Sequence, residues 1–320
     1  MPTLIDFDHG ISAIDSGFLR PMLDAIHLVA EDGKAAIVDT ATNGAVPLVL
    51  EALAMKGLRR SDVEYVILTH IHLDHAGGAG QLMQHLPNAR LTVHPRGARH
   101  MADPSALIAG TVAVYGEETA RRHYGDIVPV PAGRIVETGE GSVLDLNGRL
   151  LRILDTPGHA RHHVSIFDEA SRSVFAGDTF GISYRELDAG SREFIFPACT
   201  PVQFDPQAAH RSIDRIAGLQ PESVFVTHFS RVGDVPRLAA DLHRMLDAYV
   251  ELGRAAPGGD AEARHIFLRE GMRELLVSAA LAHGCSLRGE RLQEILEIDV
   301  ELNAQGLGIW LAEIERPPGS

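Results

Sequence analysis

Three histidines and an aspartate stand close together in segment 69–78, which reads THIHLDHAGG. In an extended loop, residues two apart face the same way, so His70 and His72 can bind one cation together. Asp74 and His75 follow at a tighter turn and can face a second cation beside the first. Imidazole and carboxylate groups are common ligands of divalent transition metals. The spacing therefore predicts a metal site.

Three more ligand-type side chains follow short apolar segments that are predicted to be strands. His159 ends the sequence DTPGH, Asp178 lies in FAGDT and His228 lies in VTHF. Each stands where a strand meets a loop, at the rim where a sheet scaffold usually presents its active site. The sequence therefore predicts that these residues join the histidine segment.

The set and its order resemble the metallo-β-lactamase superfamily over residues 11–232. The resemblance implies an α/β fold, namely an αββα metallo-β-lactamase sandwich, here with a helical C-terminal extension. It implies two metal ions, with zinc favoured over iron or manganese. It also implies that Asp39 supports the histidine segment from behind. The ligands that it implies are His70, His72 and His159 for the first ion, Asp74, His75 and His228 for the second, and Asp178 as the bridge between both.

These ligands predict a hydrolase in which a metal-bridging hydroxide attacks a carbonyl. The resemblance implies that the carbonyl belongs to a small thioester or lactone. Asp74 can bind a metal, orient the nucleophile and accept its proton. Lactonases of the superfamily often use a tyrosine a few residues after the bridging aspartate. Tyr184 is therefore a second catalytic candidate, and a packing role is its alternative.

Departures from other branches of the superfamily narrow the choice. Enzymes that destroy β-lactams typically lack an aspartate like Asp178, nucleases insert a long domain before the last histidine, and flavodiiron proteins have Glu where His72 stands. The remaining group resembles glyoxalase II, lactonases and acyl-thioesterases. Glyoxalase II-like enzymes hold glutathione with basic residues, and the candidates here are Arg231, Arg237 and Arg244.

Two alternatives stay open at this point. One is a mononuclear-iron sulfur dioxygenase, which shares the histidine motif, although intact His75 and His228 favour two metals. The other is a regulatory protein of this fold with little turnover. The two histidines after His159, at positions 162 and 163, are expected to be structural, because the seven ligands already fill both ions.

The surrounding sequence indicates how these residues are positioned. Compact β-branched runs such as 63–68 predict strands, and Asn147-Gly148 predicts a hairpin turn. The pattern is helical over 104–124 and again over 237–252, 260–283 and 291–304.

We expect a catalytic domain at 1–233, a helical extension at 234–315 and a disordered tail at 316–320. One apolar helical face either packs on the sandwich or shapes an acyl pocket; it consists of Leu238, Leu242, Met245, Leu246 and Tyr249.

Bulk composition excludes several classes of protein. The chain has 320 residues and a formal charge of −14, from 43 acidic and 29 basic side chains, so long nucleic acid is not an expected partner. Cys199 and Cys285 are too far apart to suggest a disulfide framework. The start lacks the pattern of a signal peptide, and no apolar run reaches membrane-spanning length. We expect a cytoplasmic enzyme with a small-molecule substrate and no membrane partner, and a homodimer is left open.

Overall fold

A computed structural model describes residues 2–315, so the predicted disordered tail at 316–320 lies outside the described residues. The chain divides into two compact units. The first comprises residues 2–155, 162–177 and 221–231, and the second comprises 156–161, 178–220 and 232–315. The second unit thus takes short segments from within the predicted catalytic domain. The predicted boundary at residues 233 and 234 remains a prediction.

One sheet of the first unit has seven strands in sequence order. The strands β1 to β4 are antiparallel, and β4 to β7 are parallel. Val, Ile, Leu and Ala supply most of its buried positions, as is usual for parallel strands covered on both faces. The strands are β1 Leu4–Asp6, β2 Ile11–Asp15, β3 Ala25–Glu31, β4 Lys34–Val38, β5 Val63–Ile67, β6 Arg90–Val93 and β7 Ile135–Glu137.

A second sheet has the strand order β13-β12-β11-β10-β9-β8. The predicted hairpin turn is confirmed, because Asn147 and Gly148 both adopt positive φ angles, 53° and 94°, between β8 and β9. Strand β11 pairs with β12 in parallel, whereas β8 to β11 are antiparallel. The strands are β8 Val143–Leu146, β9 Arg149–Asp155, β10 Val164–Asp168, β11 Ser173–Gly177, β12 Ser223–Val226 and β13 Ser230–Val232.

Two large apolar clusters lie on the two faces of the seven-stranded sheet of the first unit. One lies between the two sheets, where Ile67 of β5 and Val38 of β4 share a cluster with Phe175 of β11 and Phe225 of β12. The other lies between the seven-stranded sheet and its helices. The periodicity of strands places alternate side chains in these two cores, which fixes the strand register. The helices of this unit are α1 Val46–Met55, α2 Leu73–Ala76, α3 Ala79–His85, α4 Pro95–Ala102, α5 Ser105–Tyr115 and α6 Glu117–Tyr124.

Helix α5 and helix α6 divide the segment that was predicted to be helical over 104–124. The break is Gly116, whose φ angle of 77° lies in the left-handed region that glycine adopts without strain. Tyr124 is buried and packs near Phe18 and Tyr115. Its burial raises its pKa well above the ordinary value.

The second unit is mostly helical. The three predicted C-terminal helices are present, and the last one ends at Ile314, within the helical extension predicted to run to residue 315. Gly306 of this helix is needed for packing, because a Cβ there would lie 1.9 Å from the carbonyl oxygen of Cys199. The helices are α7 Pro206–Gly218, α8 Val235–Ala255, α9 Ala261–His283 and α10 Gly289–Ile314. Within residues 2–315, no helix combines the length and apolar character needed to cross a membrane.

Candidate metal centre

The histidine segment follows strand β5 directly. His70 is fully buried, and its Nε2 lies 2.9 Å from Nδ1 of His72. The Nδ1 of His70 lies 3.1 Å from the hydroxyl oxygen of Thr69, which fixes the ring orientation. Two ring nitrogens therefore converge on one point, as the spacing of two predicted.

Asp74, His75 and His228 form a second convergence within the first unit. Asp74 and His75 lie on the short helix α2, and His228 follows strand β12. Oδ2 of Asp74 lies 3.7 Å from Nε2 of His75 and 3.8 Å from Nε2 of His228. One ligand atom from each of the three residues lies within 4.8 Å of the others.

Asp39 connects the segments that carry these ligands. Its Oδ1 accepts a hydrogen bond of 2.8 Å from the backbone N–H of Thr69, next to His70. Its Oδ2 lies 2.9 Å from Nδ1 of His75 and accepts from the hydroxyl of Thr227 at 3.1 Å. With Nδ1–H donated to Asp39, the Nε2 of His75 keeps its lone pair for a metal. The predicted supporting role of Asp39 is confirmed.

His228 is oriented by a second carboxylate that the sequence did not reveal. Nδ1 of His228 lies 3.1 Å from the carbonyl oxygen of Leu23 and 2.8 Å from Oδ1 of Asp24. Burial raises the pKa of Asp24 to about 6, against the opposing effect of His228. Asp24 precedes β3 in an otherwise apolar stretch, which was the only signal that could have drawn attention to it.

His159 and Asp178 lie in the second unit. Nε2 of His159 lies 3.5 Å from Oδ2 of Asp178. On the other side of the ring, Nδ1 lies 3.1 Å from the carbonyl oxygen of Ala198, so Nδ1–H can donate there. Both side chains are buried. Their contact brings an imidazole nitrogen and a carboxylate oxygen to the spacing that a shared ion requires.

A small pocket of the second unit opens against these two residues. Apart from His159, Asp178 and Thr179, its walls are apolar. Helix α7 contributes Ile213 and helix α8 contributes Leu246. The five apolar residues predicted to form one face of α8 are all buried, so this face both packs and reaches the pocket through Leu246.

The histidines at positions 162 and 163 lie beside His70, and their structural role remains a prediction. The ring of His163 is fully buried and lies 4.9 Å from the ring of His70, with 29° between their planes. The ring of His162 lies 6.2 Å from that of His70. Their contact with the His70 ring supports the expectation that they hold a ligand in place.

Other predicted participants are engaged elsewhere in the second unit. Tyr184 is buried, and its hydroxyl donates to Oδ1 of Asp299 at 3.4 Å. Its catalytic role remains a prediction. Arg237 contacts Asp234, Asp241 and Glu193.

The remaining candidates for holding glutathione have partners too. Arg244 contacts Asp241 at 2.8 Å. Arg231 of the first unit lies over the ring of Phe7. Two of the three arginines proposed from the sequence are therefore neutralised by neighbouring carboxylates.

The donor set fits a divalent transition metal. The Asp74, His75 and His228 group offers two imidazole nitrogens and one carboxylate oxygen, and a carbonyl or carboxylate in contact with Nδ1 orients each imidazole. This is the pattern of outer partners seen around metal-bound histidines. The division of all seven ligands between two ions remains a prediction.

Comparisons with known proteins agree with this geometry. The family model of the Metallo-beta-lactamase superfamily matches residues 24–228. A metallo-beta-lactamase fold-containing protein of Sulfurisphaera tokodaii is 27% identical over 174 residues, which is 52% of this chain and 60% of that protein. A hydroxyacylglutathione hydrolase of Synechococcus sp. is 33% identical over 145 residues, 45% of this chain and 43% of that enzyme. The chain thus aligns with less than two thirds of the length of each of these two relatives.

Solved structures show the same fold. An archaeal metallo-beta-lactamase superfamily protein from Sulfolobus tokodaii has a TM-score of 0.64 at 20% identity, covering 93% of this chain and 98% of its own. A metallo-beta-lactamase family protein from Thermus thermophilus has a TM-score of 0.62 at 22% identity, covering 98% and 92%. The fold class predicted from the sequence is confirmed.

Proposed function

The chain belongs to the metallo-beta-lactamase superfamily, and we propose that it is a dinuclear metal-dependent hydrolase of small thioesters or lactones. The observation that carries this proposal is the convergence of Asp74, His75 and His228. Their ligand atoms lie within 4.8 Å of one another, and carboxylates or a carbonyl hold both imidazoles. His70 and His72 supply a second pair of nitrogens nearby in sequence.

We assign His159 and Asp178 to the same centre because the family resemblance implies it. Bound divalent ions would polarise a carbonyl and lower the pKa of a coordinated water toward about 7. Asp39 and the carbonyl of Leu23 orient the imidazoles of His75 and His228. Asp74 is 26% exposed, so its carboxylate can take up a proton from the attacking water and pass it to solvent.

Two observations support thioesters and lactones as substrates: the apolar walls of the pocket and the ion pairs of the candidate arginines. The pocket against His159 and Asp178 has apolar walls, which suits contact with an apolar acyl group. Arg237 and Arg244 are engaged by carboxylates, which disfavours recognition of a glutathione carboxylate by them. A thiol has a pKa near 8.5, so a thiolate leaves with little protonation and needs no general acid.

The test is a hydrolysis screen on protein of known metal content. Short-chain acyl thioesters, glutathione thioesters and lactones are compared, with Asp74→Asn as the inactive variant. We expect turnover of short-chain thioesters or lactones that increases with metal occupancy and falls at least about 100-fold in Asp74→Asn, as for loss of a general base. Oxygen consumption with a persulfide and one iron per chain would instead identify a sulfur dioxygenase, and no turnover of any of these substrates by metal-replete protein would also reject the proposal.

A further inference from the structure

Helices α7 and α8 carry the same five-residue pattern of histidine, arginine, any residue, an aliphatic residue and aspartate. It is HRSID at 210–214 and HRMLD at 243–247. Residues four apart share one face of a helix, so each helix presents a histidine and an aspartate side by side.

The two patterns meet across the helix pair. Nε2 of His243 lies 3.0 Å from Oδ1 of Asp214 on the other helix. Nε2 of His210 lies 3.3 Å from Oδ1 of Asp247, again on the opposite helix. Each imidazole is therefore held by a carboxylate of the facing helix, and the two segments run in opposite directions.

The two imidazoles also meet each other. Their Nδ1 atoms are 2.6 Å apart, the ring centroids are 4.9 Å apart, and the ring planes differ by 9°. The centroid distance exceeds the nitrogen distance by about one ring width, so the rings lie edge to edge in a common plane. Each Nδ1 is aimed at the other.

This arrangement favours a cation between the rings. A carboxylate beside each Nε2 favours the tautomer with the proton on Nε2, which leaves a lone pair on each Nδ1. Two lone pairs aimed at each other repel unless a proton or a metal ion lies between them. A carboxylate behind an imidazole is also the usual outer partner of a metal-bound histidine.

We propose that His210 and His243 bind one divalent transition-metal ion through their Nδ1 atoms, with Asp214 and Asp247 as orienting partners. The two carboxylates balance the charge of the ion. Binding releases to solvent any proton that the two nitrogens share, and water completes the coordination.

The fit requires a small movement. Metal–nitrogen distances of about 2.0–2.1 Å at a tetrahedral angle place two ligand nitrogens roughly 3.3 Å apart. The side chains are 28% and 27% exposed, which leaves room for the rings to turn and for water to enter. Ile213 and Leu246, each one position before the aspartate of its pattern, line the pocket next to His159. The ion would therefore join the two helices that form the pocket wall.

The test compares metal content at equilibrium with free zinc, using protein whose catalytic centre is already loaded. We expect the wild-type chain to hold one more ion than either His210→Gln or His243→Gln. Asp214→Asn should weaken the additional ion about 10–100-fold, as other outer partners of metal-bound histidines do. His265→Gln is the matched control, because His265 of α9 is a part-exposed histidine that also contacts a carboxylate, Glu301, at 3.2 Å.

A second measurement does not depend on the folding of the variants. Zinc added to the loaded wild-type protein should shift the ring-proton NMR signals of His210 and His243 and leave those of His265 unchanged. Equal metal content in the wild-type protein and both histidine variants would overturn the proposal. Signals of the pair that respond to pH and not to zinc would also overturn it, because the pair would then hold only a proton.

Discussion

Nδ1 of His75 lies 2.9 Å from Oδ2 of Asp39, which stands 36 positions earlier in the chain. The same carboxylate oxygen accepts a hydrogen bond from Thr227, the residue before His228. One buried group thus sets the ring orientation of one proposed ligand and anchors the strand end that delivers another. Asp39 can do so because its backbone adopts a left-handed conformation, with φ of 59°, directly after β4.

Replacing Asp39 should weaken metal binding without removing a ligand. We expect Asp39→Asn to lower zinc affinity about 10–100-fold, because a neutral amide holds the His75 imidazole less firmly. The measurement is competition against a chromophoric chelator. Asp62→Asn is the control: Asp62 is also a buried carboxylate of the first unit, and its partner is Arg59. Equal affinities for Asp39→Asn and the wild type would show that the contact is only structural.

The predicted dinuclear centre fixes a metal stoichiometry. We expect close to two ions per chain when His210 is replaced by Gln, so that the proposed site on α7 and α8 does not contribute. Elemental analysis of metal-replete protein gives the ratio. A reproducible value near one would reject the dinuclear centre.

The assignment of Asp178 as the bridge has its own test. Asp178→Ala should lose at least one ion and the hydrolytic activity, because the bridge holds the pair of ions together. Asp234 is an exposed carboxylate of the same unit, and the Asp234→Ala variant should keep its ions and the hydrolytic activity. Full occupancy of both ions in Asp178→Ala would mean that this residue is not the bridge.

Substitutions of Leu246 and Leu238 distinguish the two roles of the apolar face of α8, which are packing and lining of the pocket. Both are buried, but only Leu246 lines the pocket. Either Leu→Ala change should lower the free energy of unfolding by about 2–5 kcal/mol. Only Leu246→Ala should raise kcat/KM for longer acyl groups relative to short ones, measured across a thioester series. An equal shift in Leu238→Ala would mean that the face acts only as scaffold.

The decrease in the free energy of unfolding at acid pH should depend on His27. Burial between the two sheets lowers the pKa of His27 to about 4, whereas an unfolded histidine titrates near 6.5. As the pH falls from 6.5 toward 4, the unfolded chain takes up a proton that the folded chain does not. The free energy of unfolding therefore decreases across that window, by about 3 kcal/mol at its lower end.

The measurement is denaturant unfolding of the wild type and His27→Leu at a series of pH values. The difference in the free energy of unfolding between the two proteins should change with pH only below about 6.5. A difference in the free energy of unfolding that does not change with pH reports repacking against Phe175 and Phe225 and loss of the contact with Ser230. Parallel pH curves would show that His27 is not the group that titrates.

The sequence by itself predicted the local elements and the types of the proposed ligands. Spacing in the segment around His70 predicted convergent nitrogens, because alternate residues of an extended loop face one way. Asn147-Gly148 predicted its hairpin because few other residues adopt positive φ at both positions. The helical extension followed from apolar periodicity, whereas the close packing of Gly306 on Cys199 depends on the tertiary structure.

Only the tertiary structure decided which groups, distant in sequence, contact the proposed ligands. Asp24 contacts His228 across more than half of the chain, and no local pattern encodes such a contact. His210 and His243 are ordinary histidines until α7 and α8 pack and bring their Nδ1 atoms within 2.6 Å. Hydrogen-bond partners depend on distances of a few ångströms between elements remote in sequence. Helix and strand periodicity place a side chain on a face, and packing alone selects what lies opposite it.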